Sequence, residues 1–213
     1  VSYTVKEIRY TLQGEGANVG RPAVLLRFSG CNLWSGRQED RDTAVCSFCD
    51  TDILGTDGSG GGKYRTAEDL TRAVAIVWPA SETTQKSKFV VCTGGEPSLQ
   101  LDSELVDAFH ETGFEVAIET NGTVICPPGV DWICVSPKAG TRLWQKSGDE
   151  LKLVYPQVGA QPEQFEGLDF KHFFLQPMCG PNLKHNTDRA MQYCMDHPTW
   201  RLSIQTHKIL GIP

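Results

Sequence analysis

Three cysteines carry the first chemical signal. Cys46 and Cys49 form a C-x-x-C pair, and Cys31 precedes them across a gap of fourteen residues, 32–45. A C-x-x-C turn brings two sulfurs together in the geometry that grasps one metal centre. Three chemistries compete for this trio. A structural zinc site needs a closed set of four ligands, usually as two pairs, and the chain has no second C-x-x-C and no H-x-x-x-H nearby. A thioredoxin-like pair needs its motif at a helix start and has no use for Cys31. An iron–sulfur cluster on three thiolates leaves one iron without a protein ligand, and that open position can bind a substrate or cofactor. Spacing alone leaves the three open. The other five cysteines, Cys92, Cys126, Cys134, Cys179 and Cys194, are scattered, several in or beside apolar runs. They read as small buried hydrophobes, with Cys179 also placed to border a bound cofactor.

Polar clusters at the ends of apolar runs favour the cluster. Thr93-Gly94-Gly95-Glu96-Pro97 follows such a run. Its glycines let backbone approach a ligand closely, and the Glu96 carboxylate is suited to hold an ammonium group. Glu119-Thr120-Asn121-Gly122 and Ser136-Pro137-Lys138 close the next two runs in the same way. Each alone is compatible with a plain turn. Beside a three-cysteine set they point to one site, because ligands of parallel sheets bind at the carboxyl ends of the strands.

The elements that must position these groups alternate. Residues 23–28 form a continuous apolar run, a buried-strand signal. Residues 66–78 predict a helix with Thr66 as cap and Asp69 in the capping-box position. Its inward face is Leu70, Ala73, Val74, Val77 and Trp78, and Pro79 stops it. Residues 88–92 and 114–119 predict strands around a second helix, 102–112, with Leu105, Val106 and Phe109 inward and Gly113 at its end. Short strands follow at 132–135, 151–155 and 172–175. A third helix, 186–197, has Ala190, Met191, Cys194 and Met195 as its stripe, and 201–206 is the last strand.

Strands alternating with helices imply an α/β fold with a parallel sheet. About six strands and three helices are too few for an eight-fold barrel of about 250 residues, so an incomplete, partial TIM-like barrel is expected. The 213 residues fit one domain. The glycine-rich stretch 55–62 lacks the spacing of a phosphate loop or dinucleotide fingerprint and reads as a flexible connection.

With 20 Lys plus Arg against 26 Asp plus Glu, the net charge is −6. That balance disfavours a nucleic-acid binder relying on phosphate contacts. No run approaches 18 apolar residues, so no membrane span is expected. The N-terminus, Val1-Ser2-Tyr3-Thr4-Val5-Lys6-Glu7, has no basic stretch followed by an apolar one. A cytoplasmic location with reduced thiols or metal ligands, and not disulfides, is therefore expected.

Taken with Thr93–Pro97 as a motif, Cys31, Cys46 and Cys49 make the chain resemble the radical S-adenosylmethionine superfamily. The segments 119–122, 136–138 and 176–179 support the likeness, which covers most of the chain. The resemblance implies that the three thiolates hold a 4Fe–4S cluster whose open iron is chelated by S-adenosylmethionine. One electron then releases a 5′-deoxyadenosyl radical that abstracts hydrogen from the substrate. One departure is plain. The superfamily usually spaces its cysteines C-x-x-x-C-x-x-C, which would put the first ligand at Asp42. Cys31, directly after the first strong strand, is the upstream candidate, with 32–45 as an inserted loop that covers the cluster.

A finer match is to the 7-carboxy-7-deazaguanine synthase family of queuosine-precursor biosynthesis. It rests on Leu12-Gln13-Gly14-Glu15-Gly16, on Arg27-Phe28-Ser29-Gly30-Cys31-Asn32-Leu33 and on Cys49-Asp50-Thr51. The likeness implies a lyase that converts 6-carboxytetrahydropterin to 7-carboxy-7-deazaguanine with loss of ammonia, using Mg²⁺ and an external electron donor such as flavodoxin, in a homodimer. Leu12, Gln13, Gly14 and Glu15 would read the pterin edge, Thr93 would touch it, and Arg27 would pair with its carboxylate. A strand-edge salt bridge is the equal alternative for Arg27, as a turn is for Thr51, the implied Mg²⁺ ligand. Phe48, Gly94, Gly95, Glu96, Asn121, Ser136, Lys138, Gln176 and Cys179 are the implied S-adenosylmethionine contacts. The terminal carboxylate of Pro213 is a further substrate candidate. A glycyl-radical activating enzyme and a non-catalytic zinc or ferredoxin-like module are the alternatives.

Overall fold

The computed structural model describes residues 2–80 and 88–212. Their strands form one nine-stranded sheet in the order β3-β1-β2-β4-β5-β6-β7-β8-β9. Seven neighbours run parallel: β2 (Pro22–Phe28), β4 (Lys88–Gly94), β5 (Phe114–Thr120), β6 (Trp132–Val135), β7 (Ser147–Tyr155), β8 (Asp169–Pro177) and β9 (Trp200–Leu202). Two strands run antiparallel at one edge, β1 (Tyr3–Leu12) on β2 and β3 (Gly62–Tyr64) on β1. β9 and β3 are not paired, so the sheet is an open, partial barrel, as expected.

Sequence and structure agree most closely where the periodicity is strong. Helix α1 (Ala67–Val77) is capped by Thr66, whose side chain accepts from the Asp69 amide. Helix α2 (Ser103–Glu111) is capped by Asp102 in the same way. Gly113 takes the left-handed conformation, with φ +80°, that ends α2. Both helices lie on the outer face. Leu70, Val74, Leu105 and Phe109 join Val24, Leu26, Val90, Cys92, Val116 and Ile118 in one apolar cluster.

Alternation along the strands then sends Ala23, Phe89, Val91 and Ala117 to the opposite, inner face, where they form a separate small cluster. Helix α3 (Leu183–Asp196) covers Leu151, Leu153, Phe173 and Leu175 at the other end of the sheet.

Four expectations are corrected. The α3 stripe is Asn186, Ala190, Tyr193 and Cys194, while Met191 and Met195 are exposed. The last strand is only Trp200–Leu202, and the chain turns into a short helix, α4 (Thr206–Leu210), because Thr206 is held by the Gly14 carbonyl through its amide and its hydroxyl. β1 escaped notice because a bulge between Val5 and Glu7 breaks its alternation.

Finally, the glycine-rich stretch is not a flexible connection. The Ile8 amide donates to the Ser59 carbonyl and the Gly58 amide to the Lys6 carbonyl, so the stretch lies directly on β1. A Cβ at Gly61 would stand 2.4 Å from both the Lys6 and Thr56 carbonyl oxygens. Gly61→Ala is therefore expected to lower the unfolding free energy by about 1–3 kcal/mol, the cost of overpacking. Chemical denaturation checks this, and a neutral or stabilising result would restore the linker reading.

Candidate active site

The inner face changes character along the strands. Below lie Ala23, Phe89, Val91 and Ala117, and toward the carboxyl ends the same face carries Arg27, Thr93, Glu119, Lys152 and Gln176. These polar residues line a cavity of about 430 Å³, within the ordinary size of a small-ligand site.

Cys31, Cys46 and Cys49 all line this cavity, and Asp42 is exposed and does not. The Cys31 loop is placed by a close approach of two backbones. A Cβ at Gly95 would stand 1.8 Å from the Gly30 oxygen, so only glycine fits there. The Glu96 amide donates to the Gly30 carbonyl at 3.0 Å and the Gly95 amide to the Phe28 carbonyl at 3.2 Å. On the other side, the Asn121 side-chain amide donates to Asn32 Oδ1.

The C-x-x-C turn is held by the 32–45 loop. Arg41 donates to the Ser47 and Cys49 carbonyls and stacks over Trp34 at 4.1 Å. A hydrogen bond from the Cys46 thiol holds Cys49 down at about 6, against the effect of burial, while Cys46 is pushed up. Burial raises Cys31. The trio therefore has its sulfurs in one cavity with unequal proton affinities.

Among the described residues no three His, Cys, Asp or Glu side chains converge on a point that would hold a single metal ion. A zinc staple requires such convergence of four ligands. In a cubane each thiolate binds a different iron, and three thiols lining one cavity match that donor set with one iron left open.

The remaining wall is a network of buried charges. Residues 13–17 leave β1 and cross the inner face to β7. Gln13 Nε2 donates to Glu119 Oε1 at 3.1 Å, the Ala17 amide to Glu150 at 2.8 Å, and Lys152 Nζ bridges Glu15 at 2.5 Å and Glu119 at 3.1 Å. Thr93 donates to the other Glu119 oxygen at 3.4 Å. Burial opposes ionisation of Glu15, but the Lys152 charge and hydrogen bond outweigh it and hold Glu15 well below the usual carboxylate range.

From α4, Gln205 donates to Glu15 at 2.9 Å, and His207 packs where a Cβ on Gly14 would stand, 2.2 Å from its Nδ1. Lys208 bonds Asp50 and, at 3.1 Å, the Cys179 sulfur. Lys138 Nζ donates to the Ser136 hydroxyl at 2.7 Å, and burial lowers its proton affinity.

Of the expected site residues, Leu12, Gln13, Gly14, Glu15, Arg27, Phe48, Thr51, Thr93, Gly94, Gly95, Asn121, Ser136, Lys138, Gln176 and Cys179 line the cavity with the three cysteines. Arg27 makes the strand-edge salt bridge of its alternative reading. Its Nε donates to Glu7 at 3.0 Å, and its two terminal nitrogens make no hydrogen bond among the described residues. Pro213 lies outside the described residues.

Glu96 is placed differently from the other expected contacts. It is fully buried, does not line the cavity, and accepts from the Ser98 amide and hydroxyl, the Thr120 hydroxyl and the Asn121 amide at 2.6–3.0 Å. Three of these bonds fall on Oε1 and one on Oε2, so the carboxylate ties its own turn to the next. Lys152 and the α4 side chains were not singled out from sequence, and Glu119 was read only as the start of a strand-end motif. For Lys152 a signal existed, since it interrupts the apolar run Leu151-Lys152-Leu153-Val154.

No family model matches the chain. It is 59% identical over 213 residues to the 7-carboxy-7-deazaguanine synthase of Caulobacter vibrioides and 59% identical over 212 residues to that of Bradyrhizobium diazoefficiens, covering 100% of each chain in both cases. It also resembles the crystal structure of QueE from Escherichia coli, with a TM-score of 0.70, 28% identity, and 96% of this chain and 94% of that one covered.

An open, mostly parallel sheet with three thiols at its carboxyl end defines a radical S-adenosylmethionine protein. Within that class the likeness runs the full length of the chain. The chain belongs to the 7-carboxy-7-deazaguanine synthase family.

The Glu96 knot makes a distinct prediction. Glu96→Gln replaces an acceptor with a donor facing N–H and O–H groups, and is expected to lower the unfolding free energy by about 1–3 kcal/mol. Thermal or chemical unfolding reads this, and unchanged stability with weakened ligand binding would return the carboxylate to the ligand.

Proposed function

We propose that this chain forms 7-carboxy-7-deazaguanine from 6-carboxytetrahydropterin by a radical ring contraction with loss of ammonia. The observation that carries this reading is the meeting, in one cavity, of three thiols with an arginine-and-carboxylate wall suited to a small heterocyclic acid. Cys31, Cys46 and Cys49 would hold a 4Fe–4S cluster, and its exposed position on the cavity is where S-adenosylmethionine would sit. When bound, the cluster and S-adenosylmethionine together supply the radical that abstracts a substrate hydrogen.

The chain's own residues do the positioning. Phe48, the Gly94 and Gly95 backbone, Asn121, Ser136, Lys138, Gln176 and Cys179 would bind S-adenosylmethionine. The terminal nitrogens of Arg27 would pair with the substrate carboxylate. The backbone at Leu12 and Gly14, together with Gln13, Glu15 and Thr93, would read the ring, and Thr51, two residues after Cys49, would contribute to a Mg²⁺ shell completed by substrate and water. Pro213 is carried as a substrate contact through its carboxylate.

The same reading makes the chain a single domain over 1–213 with 32–45 as an inserted loop, acting in the cytoplasm as a homodimer, reduced by a carrier such as flavodoxin and with no nucleic-acid partner. No helix among the described residues is long and apolar enough to cross a membrane.

Anaerobic reconstitution tests the assignment. The protein is expected to take up about four irons and, with S-adenosylmethionine, reductant, Mg²⁺ and 6-carboxytetrahydropterin, to release 7-carboxy-7-deazaguanine. Cys31→Ala should lose iron and the cleavage of S-adenosylmethionine, whereas Asp42→Ala should keep both. Product formation by Cys31→Ala would break the ligand set, and a fully loaded wild-type protein that makes no product would break the substrate assignment.

A further inference from the structure

Lys152 is the most deeply buried cation of the cavity, with its side chain 5% exposed. It reaches the inner face from the middle of β7, where its strand neighbours Leu151 and Leu153 point into the opposite cluster. Its Nζ has three hydrogens and two acceptors, Glu15 and Glu119. These carboxylates arrive from different parts of the chain, Glu15 from the loop after β1 and Glu119 from the end of β5, and meet on one nitrogen.

No other cation makes an ion pair with either carboxylate among the described residues. Glu150 and Cys134 also face Lys152, from β7 and β6. Lys138 adds a more distant positive charge, and His207 faces Glu15 from α4. The uncharged neighbours are the Gln13, Gln205 and Thr93 donors. Glu15 and Glu119 therefore share one ammonium, and the charge of Glu15 depends chiefly on it.

We propose that Lys152 is the positioning residue of the substrate wall, holding Glu15 and Glu119 together as a pair of acceptors for the N–H edge of the pterin ring. The inference rests on the substrate reading given above. The 2-amino-4-oxopyrimidine edge of a pterin presents an amide N–H beside an amino group, and a carboxylate is the complementary acceptor. Without that cation Glu15 keeps the upward push of burial and gains an uncompensated carboxylate neighbour, so it takes up a proton. A carboxylic acid would then present O–H to a donor edge, and the pocket would lose recognition without losing any residue that touches the ligand.

The sign of the pH effect follows. In the wild-type protein, burial opposes the charge on Lys152, but the facing carboxylates raise its proton affinity well above the ordinary value, and Glu15 is held low. Both charges persist across the neutral range, and binding should be flat with pH. Without the ammonium, the Glu15 acceptor returns only as its proton leaves, so binding should recover as pH rises.

The test measures 6-carboxytetrahydropterin binding to the anaerobic, cluster-loaded enzyme by calorimetry between about pH 6.5 and pH 9, with iron content and circular dichroism confirming the fold. Lys152→Met is expected to bind at least about tenfold more weakly at neutral pH, with most of the loss recovered at the alkaline end. Lys152→Arg, which keeps the charge, should stay flat and close to wild type.

Should Lys152→Met fail to fold, the double variant Lys152→Met/Glu15→Gln removes the titrating carboxylate along with the cation. It is expected to bind without a pH slope. Unchanged binding in Lys152→Met, a loss independent of pH, or a slope that survives in the double variant would each overturn the proposal. Failure of the wild-type enzyme itself to bind the pterin would instead overturn the substrate reading, and this inference with it.

Discussion

The site depends on a buried carboxylate that ties together the segments around it. Glu96 is fully buried and accepts four hydrogen bonds, tying the turn after β4 to the turn after β5. Its own amide reaches the Gly30 carbonyl, so the loop carrying Cys31 joins the same knot. A buried charge is costly unless its lone pairs are filled, and here every partner comes from a segment that borders the cavity. The glycine before it does the complementary work. With no Cβ at Gly95, the two backbones come close enough for that amide-to-carbonyl bond to form. Three strand ends are thus fixed relative to one another before any cofactor enters.

The inner face then divides the labour between shape and charge. Apolar residues close its lower part, so the polar groups above them sit against a water-poor floor. In that setting unpaired charges would be costly, and three of the cations present have carboxylate partners: Lys152 has Glu15 and Glu119, Arg27 has Glu7, and Lys6 has Asp52 and Asp57. The last pair matters for a different reason. Lys6 also holds the Leu54 carbonyl, fixing the segment that follows Thr51 onto β1. The cavity wall is built from ion pairs that position as well as bind.

Much of this was legible from sequence, and what was missed has identifiable causes. The three cysteines and the Thr93–Gly95 turn stand out because few other chemistries use those residues at those spacings, and all six line the cavity. The caps of α1 and α2 were legible because capping is local. Lys152 was not singled out because its role is non-local: its partners lie 137 and 33 residues away in sequence. β1 was hidden by a bulge, which breaks the very alternation that announces a strand. The α3 stripe was misread because Met191 and Met195 obey the helical period of an apolar face, although Asn186 is the residue buried there, through its bond to the Met178 carbonyl. The glycines at 58 and 61 resembled a linker because composition does not distinguish flexibility from close approach.

The same non-locality explains why the site is closed from both ends of the chain. Residues 13–17 reach across to β7, and α4 returns to meet them, with Thr206 on the Gly14 carbonyl and Gln205 on Glu15. His207 occupies the space that a side chain at position 14 would need, so glycine there is a condition of the closure. Neither segment has a large apolar face of its own, and the helix is only five residues long. Short helices are marginal in isolation, so α4 holds its place through these polar contacts. The recognition wall therefore forms only when the sheet has already brought β1, β5 and β7 into register, which couples ligand binding to the completed fold and not to any single element of it.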